Sequence, residues 1–123
     1  MSVKRPLISI VIPTYNHANF LKAAIESVIA QTYQNWQAII VNNFSKDDTI
    51  QVVDDFKDDR IILINFPNNG VIAAARNEGI RNSIGEFVAF LDSDDVWKPE
   101  KLAKCVAEVN AGHDIVCHGE LWT

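Results

Sequence analysis

Cations are in short supply. Lys and Arg together number 11 against 16 Asp and Glu, which leaves a formal charge of −5 on 123 residues. Sequence-independent nucleic-acid binding takes most of its affinity from Lys and Arg on phosphates, so this balance argues against a nucleic-acid partner. It argues equally against docking on anionic lipid. Cysteine is scarce as well. Cys105 and Cys117 form no CxxC pair and no second Cys/His cluster accompanies them, so a structural zinc site has no support. Two reduced core thiols of a cytosolic protein are the expected reading, with a disulfide as the alternative. No apolar run approaches the roughly 20 residues of a membrane helix. Met-Ser-Val-Lys-Arg-Pro at the start is followed by a strand-length apolar run, not by a signal region.

Glycine-rich phosphate loops are absent too. No GxGxxG follows an apolar run, no GxxxxGK precedes Ser or Thr, and no GxSxG elbow occurs. Dinucleotide-dependent redox chemistry, P-loop hydrolysis and elbow-type hydrolysis lose support. A chain of this kind that binds nucleotide must hold the phosphates through a metal.

What is present suits one domain. A hydrophobic fraction of 48% is enough for one core and excludes a disordered chain. There is no internal repeat and no low-complexity linker. Apolar runs of strand length recur at Leu7 to Ile12, Ala38 to Val41, Ile61 to Ile64, Phe87 to Leu91 and Ile115 to Cys117. Most lack polar alternation, as strands buried on both faces do. Helical spacing fills the intervals. Leu21, Ala24, Ile25, Val28 and Ile29 share one face, and Thr49 to Phe56 reads as a shorter helix with Asp47 or Asp48 as cap. Ala73, Asn77, Ile80 and Ile84 share another face. Leu102, Cys105, Val106 and Val109 share a fourth, with Pro99 in its first turn and Gly112 at its end. The alternation predicts an α/β fold, a three-layer sandwich with a mostly parallel sheet. In open sheets of this type ligands bind beyond the carboxyl ends of the strands.

The segments after the strands are therefore the ones to weigh. They are Pro13-Thr14-Tyr15-Asn16, Asn42-Asn43-Phe44-Ser45-Lys46-Asp47-Asp48, Pro67-Asn68-Asn69-Gly70 and Asp92-Ser93-Asp94-Asp95. The last is the sharpest. Clustered carboxylates raise one another's pKa and cost stability unless a cation neutralises them. Hard divalent ions take carboxylate oxygens together with substrate phosphates. The competing reading is an acidic turn capping a helix that begins near Lys98.

Four motifs, in order, carry a resemblance: ISIVIPTYN (residues 8–16), SVIAQTYQNWQAIIVNNFSKDDT (27–49), NNGVIAAARNEGI (68–80) and GEFVAFLDSDDVWKPEKL (85–102). Together they resemble the N-terminal half of a family 2 glycosyltransferase with a Rossmann-like GT-A fold. The resemblance implies transfer of a sugar from a nucleoside diphosphate sugar, a UDP-sugar foremost, to an acceptor hydroxyl, with inversion and with Mn²⁺ or Mg²⁺. By the same resemblance Pro13, Thr14 and Tyr15 border the nucleoside, and Asn43 stands where an Asp usually reads the base. Ser45, Arg76 and Ser93 join the nucleotide set, while Asp92 and Asp94 form the DxD metal motif. Asp95 takes an outer role beside it. Arg76 has a second reading, a surface pair with Glu78 or with an aspartate of the DSDD turn, and Trp97 one of packing the helix start.

Two departures bear on function. Asn42-Asn43 replaces the family's usual pair of aspartates. An amide oxygen still accepts the N3–H of uracil, or the N1–H of guanine, without the charge-assisted component. Phe44 follows where small residues are common. The resemblance also places the catalytic base beyond residue 123, so residues 1–123 read as a single donor-binding domain, truncated at its C-terminus. His118 and Glu120 offer no convincing base. The acceptor is then a saccharide or a lipid-linked one, the location cytoplasmic at the inner face of the membrane, and the oligomeric state open. A non-catalytic sugar-nucleotide-binding module is the alternative. A receiver-type signalling domain is set aside, because neither the first nor the third strand ends in a carboxylate.

Overall fold

The computed structural model describes residues 5–67, 72–110 and 121–122. The elements run β1 (Ile8–Thr14), α1 (Ala18–Ile29), β2 (Trp36–Asn42), α2 (Thr49–Phe56), β3 (Ile61–Asn65), α3 (Ile72–Arg81), β4 (Phe87–Phe90), α4 (Lys101–Asn110) and β5 (Leu121–Trp122). The sheet order is β3-β2-β1-β4-β5. The first four strands are parallel and β5 runs antiparallel to β4. The expected strand at Ile115 to Cys117, the helix end at Gly112, and His118 and Glu120 lie outside the described residues.

Strand periodicity sorts the core into two layers. Ile8, Ile10, Ile12, Ala38 and Ile40 face one side with Leu21, Ala24, Ile25 and Val28 of α1 and Leu102, Cys105 and Val106 of α4. Val11, Ile39 and Val41 face the other with Ala75 of α3 and Phe90. Helices thus cover both faces of the sheet, which is the three-layer α/β sandwich expected. The periodic face of α1 is the buried one, and the bounds of α2 are those read from the sequence.

The expected inner face of α3 is a correction. Ala73 and Asn77 are exposed, Ile80 is 43% exposed and Ile84, beyond the helix, 77%. Among the described side chains of the helix, Ala75 and Gly79 are buried. The cause is close approach: a Cβ built on Gly79 would lie 2.3 Å from Val11 Cγ1. Only a small residue fits at this approach to β1, and Ile80 turns outward. Helix α4 also begins later than expected, at Lys101, and Pro99 lies in the turn before it. Cys105, expected as a reduced thiol, is disulfide-bonded. Cys117 lies outside the described residues.

Topology places the site. From β1 the chain steps outward to β2 and β3, then returns to the other flank of β1 with β4. Such a reversal leaves a crevice at the carboxyl ends of the two diverging strands. Here the β1–β4 ladder ends at Val11 and Phe90, with the Leu91 N–H donating to Val11 O at 3.0 Å. Strand β1 continues to Thr14 paired only with β2. Pro13 and Thr14, expected after the strand, are therefore its last residues, at the point where the sheet splits.

Candidate active site

At the split lies a cleft of about 370 Å³ lined by Pro13, Thr14, Tyr15, His17, Asp92, Ser93 and Asp94. The acidic turn is held from several directions. The Asp95 N–H donates to Asp92 O at 3.0 Å and closes the turn. Behind it, buried Gln31 donates to Lys98 O (2.7 Å) and accepts the Leu102 N–H (2.9 Å), while Ser27 Oγ accepts the Trp97 N–H. In front, His17 Nδ1 and Ser93 Oγ share a 2.8 Å hydrogen bond, which joins the β1–α1 loop to the turn.

The carboxylates of Asp92, Asp94 and Asp95 can each place an oxygen within 4.8 Å of the others. Close oxygen donors of this kind fit a hard divalent cation. Arg76 Nη2 lies 3.6 Å from Asp92 Oδ1, and its guanidinium sits 5.2 Å from the Phe90 ring centre. The pairing with the DSDD turn is thus realised, and Glu78 pairs with Arg81 instead. Both Arg76 and Asp92 are partly exposed, so the pair adds little stability. Among the described residues, Thr14 Oγ1 and Arg76 Nε are buried without a protein partner. A buried hydroxyl left unmatched beside a polar cleft suits a ligand with donors or acceptors of its own.

The second loop, residues 43–48, is tied to the first by a ladder of hydrogen bonds. The Asn43 N–H donates to Thr14 O at 3.0 Å, the Asn16 N–H to Ser45 Oγ at 2.9 Å, and the Lys46 N–H to Asn16 Oδ1 at 2.7 Å. Ser45 in turn donates to Asn42 Oδ1, and buried Asn42 donates to Asn65 Oδ1 at 2.9 Å. Ser45 therefore braces the loops, and its hydroxyl is engaged on both sides. Asn43 is half-buried next to Thr14.

Asp47 completes the ladder. One carboxylate oxygen accepts the Ala18 N–H at the start of α1, and the other accepts the Thr49 N–H and hydroxyl at the start of α2. Burial works to raise its pKa, but the hydrogen bonds from Thr49 and Ala18 outweigh that and hold it below the usual carboxylate value. A lowered folded-state pKa means stability present above the unfolded value, roughly 3.9, and lost as pH falls through the folded one. Asp47→Asn is expected to be less stable than the parent at neutral pH, because an amide NH₂ cannot accept where the second carboxylate oxygen does, and to approach the parent in strong acid. Urea unfolding at both pH values checks this; an equal deficit in acid would exclude the charge as the cause.

His17 has no counterpart among the residues singled out from the sequence. A lone His beside a turn carries no periodic or motif signal, and only the fold brings it to Ser93, 76 positions away. Asn68, Asn69 and Gly70, after the third strand, lie outside the described residues.

Comparison with known proteins bears on the family and the fold. A family model described as glycosyl transferase family 2 matches residues 9–119. A curated Escherichia coli protein named UDP-Glc:alpha-D-GlcNAc-diphosphoundecaprenol beta-1,3-glucosyltransferase WfgD is 42% identical over 96 residues, covering 78% of this chain and 38% of the relative. The structure of Staphylococcus aureus TarS 1-349 in complex with UDP superposes with a TM-score of 0.79 at 27% identity, covering 85% of this chain and 32% of that one. The mannosyltransferase PcManGT of Pyrobaculum calidifontis, in complex with GDP-Man and Mn²⁺, gives 0.76 at 25% identity over 84% of this chain and 32% of that one. The chain spans about two fifths or less of the length of such relatives. Among the described residues no helix is long and apolar enough to cross a membrane.

Proposed function

Because the chain belongs to glycosyl transferase family 2, we propose that it is the donor-binding part of a glycosyltransferase, holding a nucleoside diphosphate sugar in the crevice between β1 and β4. The observation that carries this reading is the placement of the Asp92–Asp95 turn against Pro13, Thr14 and Tyr15 around one cleft. UDP is the preferred nucleotide. TarS with UDP and the UDP-Glc named for WfgD support it, and PcManGT with GDP-Man is the competing precedent.

In this reading Asp92 and Asp94 hold the divalent cation, Mn²⁺ or Mg²⁺, with Asp95 at its side. The cation supplies Lewis-acid stabilisation of the departing nucleoside diphosphate. The chain's own residues do the positioning. His17, through Ser93, keeps the acidic turn facing the β1 rim. Thr14 offers its unmatched hydroxyl to the nucleotide. Arg76, already beside Asp92, is placed to turn its guanidinium to a phosphate oxygen. Asn43 reads the base edge with an amide where a carboxylate would add charge. Transfer with inversion needs a general base at the acceptor hydroxyl. The reading assigns that base, and acceptor recognition, to residues outside these 123.

Calorimetric titration of UDP and GDP, each with and without Mn²⁺, tests the reading. Heat of binding for UDP that requires Mn²⁺ supports it. Uptake that ignores the metal removes the role of Asp92 and Asp94, and preference for GDP removes the assignment of the base.

A further inference from the structure

Two residues with left-handed backbone stand on the facing loops, Asn16 at φ 52° and Phe44 at φ 47°. Asparagine adopts that region readily. A phenylalanine there is strained, because its Cβ crowds the following carbonyl. Strain of this sort persists where the surroundings over-determine the backbone, and it clusters at ligand sites. The loop ladder is what fixes it here. The Asn43–Thr14 bond lies on one side of Phe44 and the Ser45–Asn16 bond on the other. The same two tethers flank Tyr15 on the opposite loop.

Tyr15 and Phe44 therefore stand across from each other on the rim, with 48% and 56% of their surfaces exposed. Phe44 belongs to neither core cluster. Its ring is thus largely held out to solvent, outside the core, on a backbone that glycine would adopt without cost. It does have a place beside Asn43 and across from Tyr15, which lines the cleft with Asp92 and Asp94.

We propose that Phe44 is a base-stacking residue of the nucleotide site. The planar nucleobase lies against its ring, the Asn43 amide meets the base edge, and the diphosphate extends toward Asp92 and Asp94. Every base has a π face, so Phe44 supplies affinity for any nucleotide while Asn43 discriminates among them. The inference rests on the sugar-nucleotide reading above.

The test pairs two probes in Mn²⁺, UDP and inorganic pyrophosphate, titrated into the parent chain, Phe44→Gly and Phe44→Trp. Thermal unfolding of each variant accompanies the titrations. Phe44→Gly is expected to lose about tenfold in UDP affinity, within the range that base–aromatic stacking supplies, and to keep its pyrophosphate affinity. Its Tm should not fall, since glycine takes a positive φ without strain. Phe44→Trp should retain UDP binding. Equal UDP affinity in the parent and Phe44→Gly overturns the stacking role and leaves the sugar-nucleotide reading standing. Parallel loss of UDP and pyrophosphate marks a change of loop shape and also overturns it. A parent chain that takes up pyrophosphate but not UDP, or neither, overturns both.

Discussion

Asp94→Ala is expected to reduce Mn²⁺-dependent UDP affinity at least about a hundredfold. Loss of groups that merely orient a metal ligand already costs 10- to 100-fold, and removal of a ligand itself cannot cost less. The fold should be untouched. Asp94 is exposed on the rim, and its carboxylate stands close to those of Asp92 and Asp95. Removing one of three neighbouring negative charges relieves repulsion, so the Tm should hold or rise slightly. Calorimetry in Mn²⁺ together with thermal unfolding reads both quantities. Unchanged UDP affinity would defeat the metal assignment, and a large drop in Tm would turn the turn's acidity into a structural matter.

Gly79→Val carries the largest expected effect on stability. Gly79 is buried where α3 meets β1, and an added Cβ would stand 2.3 Å and 2.8 Å from the two Cγ atoms of Val11. Val11 is β-branched, fully buried and stiff at χ1, so it cannot turn away. The helix must lift off the sheet instead. Overpacking costs typically ~1–3 kcal/mol per insertion, and a valine adds two methyl groups beyond the Cβ, so a loss on the order of 3 kcal/mol is expected. That corresponds to a Tm lower by roughly 10 °C for a domain of this size. Gly79→Ala should lose less, because alanine regains ~1 kcal/mol of helix propensity over glycine. Pairing Gly79→Ala with Val11→Ala should give less than the sum of the two single losses, since each relieves the other. Strict additivity would mean that the contact does not limit the approach of α3.

The same contact explains where sequence reading fell short. Apolar spacing located α1 and its buried face because large side chains fill the space between α1 and the sheet. It misjudged α3 because that helix packs through Ala75 and Gly79, residues that carry almost no hydrophobic signal. Periodicity then fell on Ile80 and Ile84, which face outward. The strand ends were legible as polar segments, yet Pro13 and Thr14 belong to β1 itself. The apolar run stops at Ile12, whereas the sheet splits on the β4 side and β1 continues along β2 to Thr14.

In the site, the acidic turn was legible from charge density after a buried strand. The link from His17 to Ser93, and the ladder through Asn16, Ser45 and Asp47, were not. They join residues 29 or more positions apart through single polar groups, and no local pattern encodes such pairs. Phe44 stands out in the sequence as a bulky residue beside Asn43, but its left-handed backbone emerges only when both loops are in place.

The proposed site joins the acidic turn and the end of β1 around one metal and one nucleotide. Paramagnetic broadening in ¹⁵N–¹H spectra tests it most directly. With UDP present and Mg²⁺ replaced stepwise by trace Mn²⁺, the amides of Asp92 to Asp95, Thr14 and His17 are expected to broaden first, while those of β3 and the end of α2 stay sharp. Broadening centred elsewhere, or amides of Thr14 and His17 that stay sharp while the acidic turn broadens, would rule that shared site out.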